Sequence, residues 1–291
     1  MRELVIISGK GGTGKTSIVA AMACLADNKV IADCDVDAAD LHLVLKHRVI
    51  EEKPFEGGSK ALVNESACTG CGLCVDYCRF DAIEEAGGIY RVDPISCEGC
   101  GVCVRFCPEE AISMVPHVSG SWRVSDTPWG PLVHARLGIA EGNSGKLVTL
   151  LKKKARAIAS EKGYDLILVD GSPGTGCPVI ATISGAALIL IVTEPTVSGL
   201  HDLERVMDLA SHFGIRCAVC VNKADINPEM TKRIGDYCEG RNAPLLGVIE
   251  YDPDVTAAQV AGSSIVEFSK GPASRSIRGL WERIQGIINS L

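Results

Sequence analysis

Eight of the chain's 14 cysteines fall in two runs of identical spacing, Cys68-x₂-Cys71-x₂-Cys74-x₃-Cys78 and Cys97-x₂-Cys100-x₂-Cys103-x₃-Cys107, the second followed by Pro108. Thiolates are soft ligands, and sets of four suit zinc or an iron–sulfur cluster. Closely nested triplets with a distant fourth favour two [4Fe–4S] cubanes over zinc. Near the start of the chain, Gly9-Lys10-Gly11-Gly12-Thr13-Gly14-Lys15-Thr16, followed by Ser17, fits the phosphate-loop pattern G-x₄-G-K-[ST]. Its glycines let backbone N–H groups turn onto phosphates at the positive end of a helix. Lys15 is the expected bridge between β- and γ-phosphates, and Thr16 the expected Mg²⁺ ligand. Soft-metal ligands and a phosphate loop share one polypeptide.

Elements must hold these groups in place. Leu4–Ser8 reads as a buried strand feeding the loop, residues 14 to about 26 as the helix behind it, and Val30–Cys34 as the next strand. Residues 59–117 break this rhythm with short segments, paired glycines and an internal repeat: each cysteine run is followed by an acidic residue, Ala and Ile (Asp81-Ala82-Ile83, Glu110-Ala111-Ile112). The pattern then resumes with a helix over 144–160, strands at Leu166–Asp170, Ala187–Thr193, Arg216–Val221 and Leu245–Ile249, and an amphipathic tail from Ser274. The expected fold is α/β, a mostly parallel sheet with helices on both faces, over 1–58 and 118–291. A small α+β insertion at 59–117 interrupts it. So small an insertion has little apolar core of its own, and metal clusters would hold it together.

At 291 residues with 46% hydrophobic content, the chain has ample material for a packed core. Its net charge of −7 disfavours nucleic-acid backbone as the main partner. The acidity is concentrated: 59–117 carries four Lys/Arg against nine Asp/Glu, a face that suits a basic protein or is simply solvated. No leader precedes the first strand and no apolar stretch is long enough to span a bilayer, so a cytoplasmic location with reduced or metal-bound thiols is expected.

The early lysine, Lys10, completes K-G-G-x-G-K-T, which resembles the deviant Walker A group of P-loop ATPases: MinD, ParA, the nitrogenase iron protein and the Mrp/ApbC carriers. The resemblance implies that Lys10 reaches the nucleotide of a partner copy, giving an ATP-bridged homodimer. It also places Asp35 as the switch carboxylate that orients attacking water, with Asp33 in support and Asp37 and Asp40 as helix caps. Asp170, ending an apolar strand, matches the Walker B carboxylate of the Mg²⁺ shell, and 171–176 resembles the switch II loop of the Mrp/ApbC proteins. Asn222 is then the adenine contact, and Asp252 and Pro253 close the adenine pocket, where Glu250 departs from a common Pro. With the insertion included, the chain looks most like MinD-superfamily ATPases carrying an inserted ferredoxin domain. The two-cluster ferredoxin pattern implies crossed ligation: Cys68, Cys71, Cys74 and Cys107 for cluster I, and Cys97, Cys100, Cys103 and Cys78 for cluster II. Arg79 replaces the proline that the pattern has after Cys78.

Other residues read more plainly. Cys177 has no upstream cysteine in 108–169 to share an intersubunit cluster, although a Cys177 pair across a dimer stays open. Cys217 and Cys220 point to opposite faces of one strand and read as packed thiols. Cys24, Cys34 and Cys238 have no partners in the sequence. Ser144 reads as a helix cap and Lys152-Lys153-Lys154 as a solvated helix face. Arg275, Arg278 and Arg283 flank an apolar helical face that docks on the domain or, alternatively, on a membrane.

The expected reaction is ATP + H₂O → ADP + phosphate. Three purposes compete for it: ATP-gated electron donation to a partner protein, delivery of a metallocluster or metal to an acceptor, and MinD/ParA-like positioning with structural clusters.

Overall fold

A computed structural model describes residues 1–138 and 141–290. The chain forms two compact units. The first comprises Met1–Glu52, Trp122–Arg136 and Ser144–Leu291, and the second Lys53–Ser121 and Leu137–Asn143. The second unit is therefore wider than 59–117, because the strands that enter and leave it are long.

In chain order, the first unit opens with β1 (Arg2–Ser8), α1 (Lys15–Leu25), β2 (Lys29–Cys34) and α2 (Leu41–Val44). β3 (Arg48–Val63) runs into the second unit, which holds α3 (Leu73–Asp76), β4 (Ile83–Ala86), β5 (Ile89–Val92) and α4 (Val102–Phe106). β6 (Ile112–Thr127) returns to the first unit. There follow β7 (Gly130–Leu137), α5 (Ser144–Lys162), β8 (Leu166–Gly171), α6 (Cys177–Ile183), β9 (Leu188–Thr193) and α7 (Val197–His212). The chain ends with β10 (Cys217–Asn222), α8 (Pro228–Gly240), β11 (Leu245–Ile249), α9 (Pro253–Val260), α10 (Ile265–Phe268) and α11 (Pro272–Asn289).

The described strands form a nine-stranded sheet in the order β11-β10-β9-β1-β8-β2-β7-β6-β3. From β11 to β7 every neighbouring pair is parallel. β1, β8, β2 and β9 are buried almost along their whole length around apolar centres, as strands covered on both faces must be. Register does the positioning. Asp33 on β2 lies opposite Asp170 on β8, and Asp170 lies beside Ile6 on β1, so both carboxylates emerge at the strand ends where the phosphate loop begins.

α11 docks through Ile277, Leu280, Trp281, Ile284 and Ile288 into the same core as α1. Its flanking arginines bond inward: Arg278 donates to the Val266 carbonyl at 2.8 Å and Arg283 to the Leu246 carbonyl at 2.6 Å. Among the described residues, no helix is long and apolar enough to cross a membrane. One expectation is overturned. Lys152 is not on a solvated face: it is buried, pairs with Glu3 at 3.0 Å, and donates to the carbonyls of Thr182 and of Ser184, the latter at 2.7 Å. It fastens the end of α6 to β1. Ser144 is the first residue of α5, preceded by Asn143 in the left-handed region, and Asp40 sits at the N-cap position of α2 without a side-chain capping bond.

The second unit repeats its own geometry. Asp81 and Glu110, each three residues past the last cysteine of its run, take left-handed φ values of 49° and 50°. They turn the chain so that Ala82 and Ile83, and equally Ala111 and Ile112, are buried. β4 and β5 pair antiparallel across Gly87-Gly88, both at positive φ as a tight hairpin needs. The small core of this unit gathers Ala61, Ala82, Ile83 and Ile112 with Cys74 and Cys97, and Cys78, Cys103 and Cys107 pack against it.

Candidate functional site

The phosphate loop connects the buried end of β1 to α1. Gly14 precedes α1 at φ 83°, and a Cβ there would overlap the Asn222 amide, so both backbone and neighbour demand glycine. The following side chain, Lys15, is 6% exposed and lies between two carboxylates: it bonds Asp170 Oδ1 and stands 3.2 Å from Asp35 Oδ2. Burial disfavours its charge, but Asp170 and Asp35 outweigh burial and hold the ammonium above its usual pKa.

Three acids thus share one ammonium. Asp33 is fully buried and structural, accepting bonds from the backbone N–H of Asp35 and of Leu41, both at 3.2 Å. Burial first, and then Asp170, raises its pKa well above the carboxylate range. Asp35 is pushed up to about 6, chiefly by burial, with Lys15 pulling the other way. Asp170 Oδ2 is buried and has no hydrogen-bond partner. A carboxylate excess with an orphaned buried oxygen fits a divalent cation, and Asp170 and Thr16 are the residues that would hold Mg²⁺ with a nucleotide.

Around this point lies a cleft of about 630 Å³, lined by Gly11 to Ser17, Asp35, Asp40, Asn222, Lys223 and 250–252, among others. That volume and lining suit a nucleotide. Asp170 lies beneath, behind Lys15. Gly9, Lys10 and Pro253 do not line the cleft. Lys10 turns onto its own chain, 3.4 Å from Glu194 and 3.3 Å from the Ser198 hydroxyl. Asn222, expected at the base, donates its amide to the Thr13 carbonyl at 2.8 Å. Asp252 lines the cleft, but its carboxylate caps α9 through Asp254 N–H at 3.0 Å and accepts from Ala273 N–H at 3.1 Å. Sequence reading missed Lys223, which joins Gly12 O at 3.2 Å to Glu194 at 2.5 Å, and the far wall from Leu43, Val44, Val255, Thr256 and Gln259. Lys223 follows Asn222 directly and was the detectable one. The loop of 171–176 is tied at Gly174, whose N–H donates to Ser8 O at 2.8 Å.

In the second unit the cysteines line two separate cavities. One is bordered by Cys68, Cys71, Cys74 and Cys107, together with Tyr90 and Ile112. The other is bordered by Cys97, Cys100, Cys103 and Cys78, together with Phe80 and Ile83. Each cavity takes three cysteines of one run and the last of the other. Tyr77 and Phe106, each just before a crossing cysteine, stack with ring centres 4.1 Å apart. Among the described residues, no group of three or more His, Cys, Asp or Glu converges on a single metal-ion position. A cubane spreads its four thiolates over four irons around a cavity, and apolar walls with four soft donors fit it.

The remaining cysteines stay apart from these cavities. Cys220 is fully buried and burial pushes its thiol up to about 12, whereas Cys177 is exposed at the start of α6.

The CobQ/CobB/MinD/ParA nucleotide binding domain family matches residues 4–265. An uncharacterized protein of Methanocaldococcus jannaschii is 33% identical over 293 residues, covering 98% of this chain and 97% of that protein. A cytosolic Fe-S cluster assembly factor Nubp1 homolog of Drosophila willistoni is 26% identical over 145 residues, covering 43% of this chain and 46% of that protein. Among solved structures, the septum site-determining protein MinD complexed with Mg-ADP from Pyrococcus horikoshii is similar, with a TM-score of 0.58 and 19% identity. That match covers 99% of this chain and 98% of the other. At such identity it speaks for the fold.

Proposed function

The chain belongs to the CobQ/CobB/MinD/ParA nucleotide-binding family, and on that premise we propose that it is an ATPase whose nucleotide-dependent dimer gates electron transfer from two [4Fe–4S] clusters to a partner protein. The observation that carries the redox half is the division of eight cysteines into two cavities of four, each drawing its fourth thiol from the other run. Bound there, the clusters would supply one-electron chemistry at low potential.

The chain's own residues account for the ATPase half. An arriving triphosphate competes with Asp170 and Asp35 for the Lys15 ammonium, which then neutralises charge developing on the transferred phosphoryl group. This frees two carboxylates. Asp170 and Thr16 would hold the Mg²⁺ that accompanies the nucleotide, and Asp35 orients the attacking water. Backbone N–H groups of 11–16 and the start of α1 receive the phosphates. Lys10 reaches the partner copy's nucleotide once it leaves Glu194, and the 171–176 loop reports whether a γ-phosphate is present.

A second reading, delivery of a cluster to an acceptor protein, is favoured by the partial likeness to the cluster assembly factor. Complete four-cysteine ligation favours retention instead. An anaerobic redox titration followed by electron paramagnetic resonance separates the two, comparing nucleotide-free protein with protein holding a non-hydrolysable ATP analogue and Mg²⁺. The gated donor predicts a shift of about 60 mV or more, a tenfold change per electron. Unmoved potentials with clusters that pass to an apo-acceptor would favour delivery.

A further inference from the structure

The two cysteine cavities of the second unit are built by a repeat that the backbone keeps bond for bond. Asn64 N–H donates to Ala111 O at 2.7 Å, and Asp93 N–H to Ala82 O at 2.8 Å. Cys68 N–H then donates to Asn64 O at 3.1 Å, and Cys97 N–H to Asp93 O at 3.0 Å. Gly70 and Gly99, at φ 71° and 66°, each lie under a carbonyl, Gly88 in the first case and Ser59 in the second. A Cβ would come within 2.4 Å and 2.1 Å of the respective oxygens. After those carbonyls come Ile89 and Lys60, followed by Tyr90 and Ala61, which border one cavity each.

The match breaks at Lys60. It is half-buried and donates from Nζ to the carbonyl of Cys97 at 2.8 Å, whereas Ile89 has no side-chain donor to offer Cys68. On the reading that two [4Fe–4S] clusters occupy these cavities, we infer that the Lys60 ammonium makes the cavity of Cys97, Cys100, Cys103 and Cys78 the preferred seat of a single electron. Lys60 is a positioning residue in this role, acting through the Cys97 peptide.

Adding an electron to a thiolate-bound cluster adds negative charge, and a nearby cation stabilises the reduced form. A charge-assisted bond to a ligating residue's own peptide fixes that cation beside the cavity instead of in solvent. The other charges do not undo this. Glu98 on this cavity and Glu109 on the other are exposed carboxylates that offset one another. Asp93 stands where the other half has Asn64, but its carboxylate accepts from the Ser96 hydroxyl at 2.6 Å and from the N–H groups of Ile95 and Ser96 at 3.0 and 3.1 Å. Arg79, after Cys78, stands where the other run has Pro108 and adds charge of the same sign as Lys60. An electron on the pair therefore leaves the cluster of Cys68, Cys71, Cys74 and Cys107, which is oxidised, and reduces the other. No bond is made or broken.

The test is an anaerobic redox titration of the nucleotide-free full chain, followed by electron paramagnetic resonance with dithionite as the one-electron reductant. Wild type should be reduced in two steps at least tenfold apart in the electron's distribution, about 59 mV. Lys60→Met and Lys60→Gln, each checked for about eight iron atoms per chain, should lower the upper step and narrow the gap, while Lys60→Arg keeps it. Glutamine retains a donor for Cys97 O, so it separates the charge from the hydrogen bond. Combined with Cys107→Ser, which leaves only the Cys97 cavity loaded, Lys60→Gln should still lower the remaining step. Combined with Cys78→Ser, it should leave the remaining step unmoved. Coincident steps in wild type, Lys60→Gln titrating like wild type, or a shift confined to the Cys78→Ser background would each overturn the inference with the clusters still in place. A chain that carries no iron would instead overturn the cluster reading on which it rests.

Discussion

Glu194 holds the Lys10 ammonium at 3.4 Å within one chain, and with its other oxygen holds Lys223 at 2.5 Å. Lys10 is one-third exposed, so the tether is worth little, about 0.5–1 kcal/mol. Lys10→Ala should bind nucleotide almost as tightly as wild type yet fail to dimerise with an ATP analogue, read by light scattering during size-exclusion chromatography. Glu194→Gln should loosen the tether and lower the analogue concentration for half-dimerisation by about two- to fivefold.

Lys15→Ala has a different signature. It leaves Asp33, Asp35 and Asp170 without their buried counter-charge. Removing one partner of such a group costs about 3–5 kcal/mol. Nucleotide binding by calorimetry should vanish, and thermal unfolding should show the nucleotide domain weakened as well.

The same acids predict a pH dependence. Asp35 has a folded pKa of about 6 against an ordinary value of 3.8, so between those values the folded chain binds more protons than the unfolded one. The resulting penalty is absent below about pH 4 and complete above about pH 6–7. Asp35→Asn removes it. Without nucleotide, this variant should exceed wild type by about 1–2 kcal/mol at pH 7.5, after allowance for solvent screening, with the gap about halved at pH 5 and closed near pH 4. A constant gap in thermal unfolding across that range would contradict the assignment.

Cysteine replacement tests the crossed pairing. Cys107 borders the cavity of Cys68, Cys71 and Cys74 and not that of its own run. Cys107→Ser should therefore cut iron from about eight to about four atoms per chain and spare the signal of the cluster held by Cys97, Cys100, Cys103 and Cys78. Cys78→Ser should do the reverse. Iron analysis and electron paramagnetic resonance read both.

Much of this was legible in the residues. Unbroken apolar runs such as Leu4–Ile7 and Leu188–Val192 marked strands buried on both faces, and the glycine-rich loop could sit only between a strand and a helix. Long-range pairing was not legible. Lys152 belongs to a charge run that looks the same whether it faces water or reaches Glu3, 149 residues earlier. β3 and β6 continue across the edge of the second unit without a break in composition, so no local signal marks where that unit begins and ends.

The bonds from Asn222 to Thr13 O and from Lys223 to Gly12 O anchor two carbonyls of the phosphate loop to the end of β10. The cradle is therefore shaped before any ligand enters. Little chain entropy remains to be surrendered on capture, so association should run at the pace of encounter, and affinity should be set by how long the nucleotide stays.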